Sequence, residues 1–189
     1  NSAYLRASNY YRTAEFFLRD DPRHDPRVAD TSARAIAAFR SAPDVQRHWA
    51  RIRIPYEDIH LEGYYLHVSG DQPGPTLLAH GGFDFARTFD VFAPLLAAAG
   101  WRVVAWDQRG HGDSDHTALY SWDADLRDAV AVMTSVTGRA VPVVGHSKGG
   151  ALMTQLADCQ PHRVGRLVNL DGLPSRGPVP DVANHDRTR

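Results

Sequence analysis

One serine in this sequence stands in a setting that can make it a nucleophile. Ser147 lies in Gly145-His146-Ser147-Lys148-Gly149, directly after the apolar run Val141-Pro142-Val143-Val144 and directly before the helix-compatible Ala151-Leu152-Met153-Thr154-Gln155-Leu156-Ala157. A Gly-x-Ser-x-Gly string between a buried strand and a helix marks a sharp turn that holds the serine in strained backbone geometry. The glycines at 145 and 149 remove Cβ atoms that would collide there. A serine so placed projects from the carboxyl edge of a sheet, at a helix N-terminus whose dipole favours developing negative charge, and is suited to attack an acyl-type carbonyl. The backbone N–H of Lys148 then supplies one donor to the oxyanion, while the Lys148 side chain is expected to face solvent. The turn has neither the Gly-x-x-x-x-Gly-Lys-Ser/Thr spacing of a phosphate loop nor the Gly-x-Gly-x-x-Gly of a dinucleotide site.

A second donor is expected where Leu77-Leu78-Ala79 runs into His80-Gly81-Gly82-Phe83. A glycine turn at a strand end can offer a free N–H toward the same oxyanion, from Gly82 by first choice and Phe83 by second. Downstream of the serine, Asp171 follows a short apolar run and is a candidate acid; as Asp171-Gly172 it is equally a plain turn. His162 and His185 are the downstream histidines, and neither follows a recognisable final strand, so no general base is assigned. A rival chemistry comes from His111-x-Asp113-x-Asp115-His116, four potential ligands within a short string, which would suit a metal-dependent hydrolase.

These residues need elements to position them. Apolar residues at roughly helical spacing (Leu5, Tyr11, Phe16, Phe17, Leu18) predict a helix stopped by Asp20-Asp21-Pro22. A second helix carries Ile36 and Phe39, with Thr31 or Ser32 as cap, and is interrupted at Ser41-Ala42-Pro43 before a further piece over 45–50. From Arg51 the period becomes two, predicting an antiparallel hairpin from 51–56 and 59–68. Strands over 76–79, 102–106, 141–144 and 166–170 then alternate with helices over 89–99, 121–136 and 148–157. The fold class expected is therefore α/β, a mostly parallel sheet with right-handed crossovers and helices on both faces. The domains are a helical N-terminal appendage over 1–50, an α/β core over 51–172 and an irregular, turn-rich tail over 173–189.

His80-Gly81-Gly82, Trp106-Asp107-Gln108-Arg109-Gly110-His111-Gly112-Asp113-Ser114 and Gly145-His146-Ser147-Lys148-Gly149-Gly150 together resemble the successive signature loops of the α/β-hydrolase superfamily, over roughly residues 52–172. The resemblance implies a Ser-acid-His triad and an acyl-enzyme, with acid and base following the nucleophile in chain order. On that order the chain reads as C-terminally incomplete, lacking a cap, the last strands and the catalytic histidine, and is expected to be nearly inactive alone. The segment 4–12, with Ile54-Pro55-Tyr56-Glu57 and Leu61-Glu62-Gly63-Tyr64, is similar to the lead-in of FrsA-like and pseudooxynicotine hydrolase-like members, whereas Asp107-Gln108-Arg109-Gly110 resembles the esterase and haloperoxidase-like branch. The function implied is hydrolysis of a small ester, lactone or related carbonyl substrate. Carbon–carbon bond hydrolysis on the same fold, and a non-catalytic binding module using an open sheet edge, stand as alternatives.

Bulk properties fit a small-molecule partner. With 189 residues, 43% of them apolar, the chain can bury one substantial core. Its 21 basic and 22 acidic residues leave a formal charge of -1, so no charge excess attracts nucleic acid or an anionic membrane. No apolar run reaches the roughly 20 residues of a membrane span, and Cys159 is the single cysteine, which excludes an intrachain disulfide. The cytoplasm is the expected compartment, no cofactor is called for, and self-association into a homo-oligomer is left open.

Overall fold

The computed structural model describes residues 2–18, 24–66, 76–81, 86–89 and 91–172. The expected helix stop at 20–22, the hairpin's extension to 68, Gly82, Phe83 and the tail from 173 with His185 lie outside them.

Three helices open the chain: α1 (Ser2–Phe17), α2 (Pro26–Arg40) and α3 (Pro43–His48). The cap of α2 is Asp25, in place of Thr31 or Ser32, because its carboxylate accepts the Arg27 N–H at 2.9 Å while Pro26 fills a first-turn position where a missing N–H costs nothing. The helix therefore starts nearly two turns earlier than the apolar pattern alone suggests. Phe39 of α2 is buried edge-on against Tyr64, ring centroids 5.5 Å apart, and joins Ala42 and Val45 in one of two core clusters. The first helix lies on the second, with the Arg34 guanidinium 6.0 Å from the Tyr11 ring centre.

The hairpin forms as expected from β1 (Trp49–Tyr56) and β2 (Ile59–Leu66), paired antiparallel from Trp49 opposite Leu66 to Tyr56 opposite Ile59. There follow β3 (Thr76–Gly81), a short 3₁₀ turn (Ala86–Phe89), α4 (Phe92–Ala98), β4 (Arg102–Trp106), α5 (Trp122–Val136), β5 (Val141–His146), α6 (Lys148–Cys159) and β6 (Val164–Leu170). The single helix expected over 89–99 is thus replaced by a 3₁₀ turn and a shorter α-helix. Pro94 accounts for this: proline is tolerated only in a first turn, so α4 must begin just before it.

The described strands form one sheet in the order β1-β2-β4-β3-β5-β6. Strands β3 to β6 run parallel, and β2 joins them antiparallel through β4. Alternation along β4 shows how both faces are covered. Val103 and Ala105 meet Phe39, Phe89 and Ala93 on one side, whereas Val104 and Trp106 meet Val132, Met133, Leu152 and Leu156 on the other. Each fully buried valine, leucine, methionine or phenylalanine of this kind stabilises the fold by about 1.5–3 kcal/mol. Strand β6 is an outer strand of the described sheet, with Val168 46% and Leu170 40% exposed. Among the described residues no helix is long and apolar enough to cross a membrane.

Parallel pairing decides what meets at the carboxyl edge. Ala79 pairs with Ala105 across β3 and β4, and His80 with Gly145 across β3 and β5, so the carboxyl ends of all three strands lie side by side.

Candidate active site

Ser147 joins β5 to α6 and is exposed, with φ 54 and ψ -123. A non-glycine residue in such a conformation costs about 1–3 kcal/mol and persists only where its surroundings impose it. Here they do so from two sides. The Ser147 N–H donates to the Leu170 carbonyl at 2.9 Å, and the Ser147 carbonyl accepts the Gly150 N–H at 2.9 Å. The turn is thus pinned between the end of β6 and the first turn of α6. A Cβ on Gly145 would fall on the Gly149 backbone, so the first glycine of the motif is needed as expected. Close approaches also occur at Gly150, where a Cβ would strike the Asn169 side chain, and at Gly172, where it would strike the Asn169 side chain and the Ser147 carbonyl.

Asn169 escaped the sequence analysis. Its Oδ1 accepts the Gly172 N–H at 2.8 Å and its Nδ2 donates to Thr154 Oγ1 at 3.2 Å, tying the end of β6 to α6 behind the serine. The paired glycines 149 and 150 carried the available hint that another group comes close. Asp171 follows Leu170, the residue that holds the Ser147 N–H, so its backbone runs beside the serine. Its φ is 55 and it is exposed; among the described residues its carboxylate accepts no hydrogen bond. His162 stands in the turn before β6, at the opposite edge of the sheet from Ser147. No histidine among the described residues hydrogen-bonds the Ser147 hydroxyl.

Lys148 is the first residue of α6, where helix geometry provides the N–H with no carbonyl four residues back. Its side chain overturns the expectation of a solvent-facing bystander. Nζ donates to Asp125 Oδ2 at 2.6 Å, with the two side chains 18% and 10% exposed, and lies 5.9 Å from the Trp122 ring centre. An acid in the first turn of α5 was within reach, which one-dimensional spacing could not reveal.

The turn after β4 is built differently. Asp107 Oδ1 accepts the Ala86 N–H at 2.7 Å and Oδ2 accepts the Asp113 N–H at 3.0 Å. Ser114 Oγ donates to the Asp107 carbonyl at 2.7 Å and accepts the Glu62 N–H at 2.8 Å, fastening the turn to β2. Arg109 grips Asp128 of α5 with two N–H donors at 2.7 and 2.6 Å, both side chains almost wholly buried. Burial pushes the Asp128 carboxyl up while the Arg109 bonds pull it down, and those same bonds hold the guanidinium charged. The Tyr64 hydroxyl, pushed up by burial, stays protonated and donates to Asp113 Oδ2 at 3.1 Å; Arg40 of α2 pairs with the same oxygen.

That wiring corrects the metal-ligand interpretation of His111, Asp113, Asp115 and His116. Asp113 faces Arg40 and Tyr64, Asp115 accepts the His60 N–H at 2.8 Å, His111 Nδ1 lies 3.0 Å from the Arg109 carbonyl, and His116 Nδ1 lies 3.0 Å from the Tyr120 hydroxyl. The four side chains turn to different partners. Among the described residues no group of three or more His, Cys, Asp or Glu is arranged to hold a metal ion.

Comparison with known proteins bears on the family and the fold. A family model described as serine aminopeptidase, S33, matches residues 72–170, just over half of the chain. The chain is an α/β-hydrolase of this family. As such it is 36% identical over 99 residues to a serine hydrolase-like protein of Dictyostelium discoideum, a match covering 50% of this chain and 27% of that protein. It is 32% identical over 99 residues to the pyrethroid hydrolase of Sphingobium wenxiniae, covering 51% of this chain and 35% of the relative. Among solved structures, a probable hydrolytic enzyme of Pseudomonas aeruginosa aligns with a TM-score of 0.56 at 31% identity, over 66% of this α/β-hydrolase chain and 41% of the other. The matched part is thus well under half the length of these relatives.

Proposed function

We propose that this α/β-hydrolase chain carries the nucleophile and part of the oxyanion site of a serine-dependent hydrolase acting on a small ester, lactone or related carbonyl compound through an acyl-enzyme. The observation that carries the proposal is the backbone of Ser147: an exposed serine held at φ 54 at the carboxyl edge, directly before a helix N-terminus. Strain of this kind is maintained where it aims a side chain. The names of the relatives, a serine hydrolase-like protein and a pyrethroid hydrolase, support hydrolytic chemistry.

In the proposed reaction Ser147 Oγ attacks the carbonyl carbon as its proton passes to a general base. The carbonyl oxygen becomes an oxyanion, stabilised by the Lys148 N–H and by a second N–H from the turn after β3, with Gly82 first and Phe83 second. The tetrahedral centre collapses, the alcohol leaves with a proton, and water then releases the acid and restores the serine. Asp171 is the acid candidate on the strength of its backbone position beside Ser147.

A fluorophosphonate probe, followed by peptide mass spectrometry on the full-length protein, tests the assignment. The expected result is one adduct on the peptide containing Ser147, with hydrolysis of a p-nitrophenyl ester falling about a thousandfold or more in Ser147→Ala. Folded protein that takes no label, or an alanine variant that hydrolyses the ester as fast as the parent, would overturn it in favour of a non-catalytic binding module or a different nucleophile.

A further inference from the structure

We infer that the groove between α2 and the turn after β4 is a binding site for a small, uncharged aromatic group, whether a free molecule or the ring of a substrate. The inference stands on the groove itself and does not depend on the acyl-enzyme assignment.

The groove exists because α2 meets the turn at one end only. At its C-terminal end Phe39 packs on Tyr64 and Arg40 pairs with Asp113. Toward its N-terminal end the residues that line the gap are Ala29 and Ala33, with Ile36 beyond them on the same helix face, and a methyl group is too short to close it. The opposite wall is Gly110, His111 and Gly112, where both glycines have positive φ, 70 and 55, and bring only backbone to the cavity. Between these two low walls lies a cavity of about 420 Å³, a size typical of small-molecule sites and a shape suited to a flat ring system.

Polar groups at the groove select among such molecules. Among the described residues that line it there is no lysine or arginine. The Asp25 carboxylate is taken on both oxygens by the Arg27 guanidinium, at 2.9 and 2.5 Å, and Glu15 and His24 each have an interaction of their own. A charged ligand would lose water here without gaining an unspent counter-charge, which disfavours it. One hydrogen bond is on offer. His116 Nδ1 meets the Tyr120 hydroxyl at 3.0 Å, and its Nε2 makes no hydrogen bond among the described residues. A ring hydroxyl lying against the α2 methyl groups can serve that nitrogen as donor or acceptor, whichever tautomer the Tyr120 contact selects.

The test titrates 2-naphthol, 2-naphthoate and 2-naphthylmethylamine into the full-length protein by calorimetry. One 2-naphthol is expected to bind per chain, and the two ions about tenfold more weakly or worse. Ala33→Leu and Ala29→Leu, both at exposed positions, should weaken 2-naphthol about tenfold or more by filling the cavity. His116→Ala should weaken it about three- to tenfold by removing one hydrogen bond. Ser147→Ala should bind it as the parent does, so the site and the nucleophile assignment fail separately. Hydrolysis of 2-naphthyl acetate and ethyl acetate tells the two sources of the ring apart. A KM raised by Ala33→Leu for the naphthyl ester alone marks a substrate's ring, and a KM unchanged for both marks a free ligand; either supports the site. A parent that does not bind 2-naphthol, or binds 2-naphthoate equally well, overturns it, as do folded Ala33→Leu and Ala29→Leu proteins that bind 2-naphthol as tightly as the parent.

Discussion

Two glycine-rich turns leave the same edge of the sheet within two strands of each other, and they are held in opposite ways. The turn after β4 is built from side chains: Asp107, Arg109, Asp113 and Ser114 each bond inward, and Asp107, Gln108, Arg109 and Ser114 are buried. The turn after β5 is held by its backbone, through Leu170, Gly149 and Gly150, and its central serine stands in the open. Histidines and aspartates are crowded into the first, yet their polar groups are spent on each other and on β2, α2 and α5. The second offers one hydroxyl, and nothing among the described residues consumes it. Density of reactive residue types is thus a poor guide to a site; what matters is which groups the fold leaves unspent and aimed outward.

The contrast can be broken by exchanging losses of stability for losses of reactivity. The largest effect is expected from Asp128→Asn, which strips the buried Arg109 of its counter-charge. Chemical denaturation should show a loss of about 3–5 kcal/mol, a large part of a domain's usual stability. A loss below about 1 kcal/mol would mean that the Arg109–Asp128 pair does not hold the turn after β4. Next comes Gly145→Ala, which pushes a methyl group onto the Gly149 backbone. Overpacking of this kind costs about 1–3 kcal/mol, and fluorophosphonate labelling of Ser147 per folded molecule should slow more than the stability change explains. Equal labelling rates in the folded variant and the parent would show that the backbone of the turn does not aim the serine.

The smallest effect concerns pH. The Asp115 carboxyl is held below its ordinary value of 3.8, chiefly by the backbone N–H of His60 and then by the His60 ring. A depressed carboxylate contributes stability above its unfolded value and loses it as pH falls through the folded one. Asp115→Asn should therefore flatten part of the stability loss below about pH 4 while changing little at pH 7. A denaturation series from pH 2 to 7 that superimposes with that of the parent would remove this link between the turn and β2.

Much of the fold was legible because hydrophobic periodicity is local. The alternation in β1 and β2, the apolar run of β5 and the Ser121-capped α5 all announced themselves in the residues that form them. Boundaries were less legible where a single capping or breaking residue outweighed the pattern, as Asp25 did for α2 and Pro94 for α4. Within the site, Ser147 was marked by its flanking glycines. Asn169 and Asp125 were not marked at all, since each acts on the turn from a different element and no spacing rule links them to it.

The sequence by itself determined that a strained serine turn follows a buried strand, because both the strand pattern and the glycines that make the turn possible lie within ten consecutive residues. Tertiary structure alone decided which polar residues around it are engaged. Lys148 turned inward to Asp125, and the chemistry-rich string from His111 to His116 became a set of struts, because a charged group at a sheet edge takes whatever partner the packing of α2, α5 and β2 brings within about 3 Å.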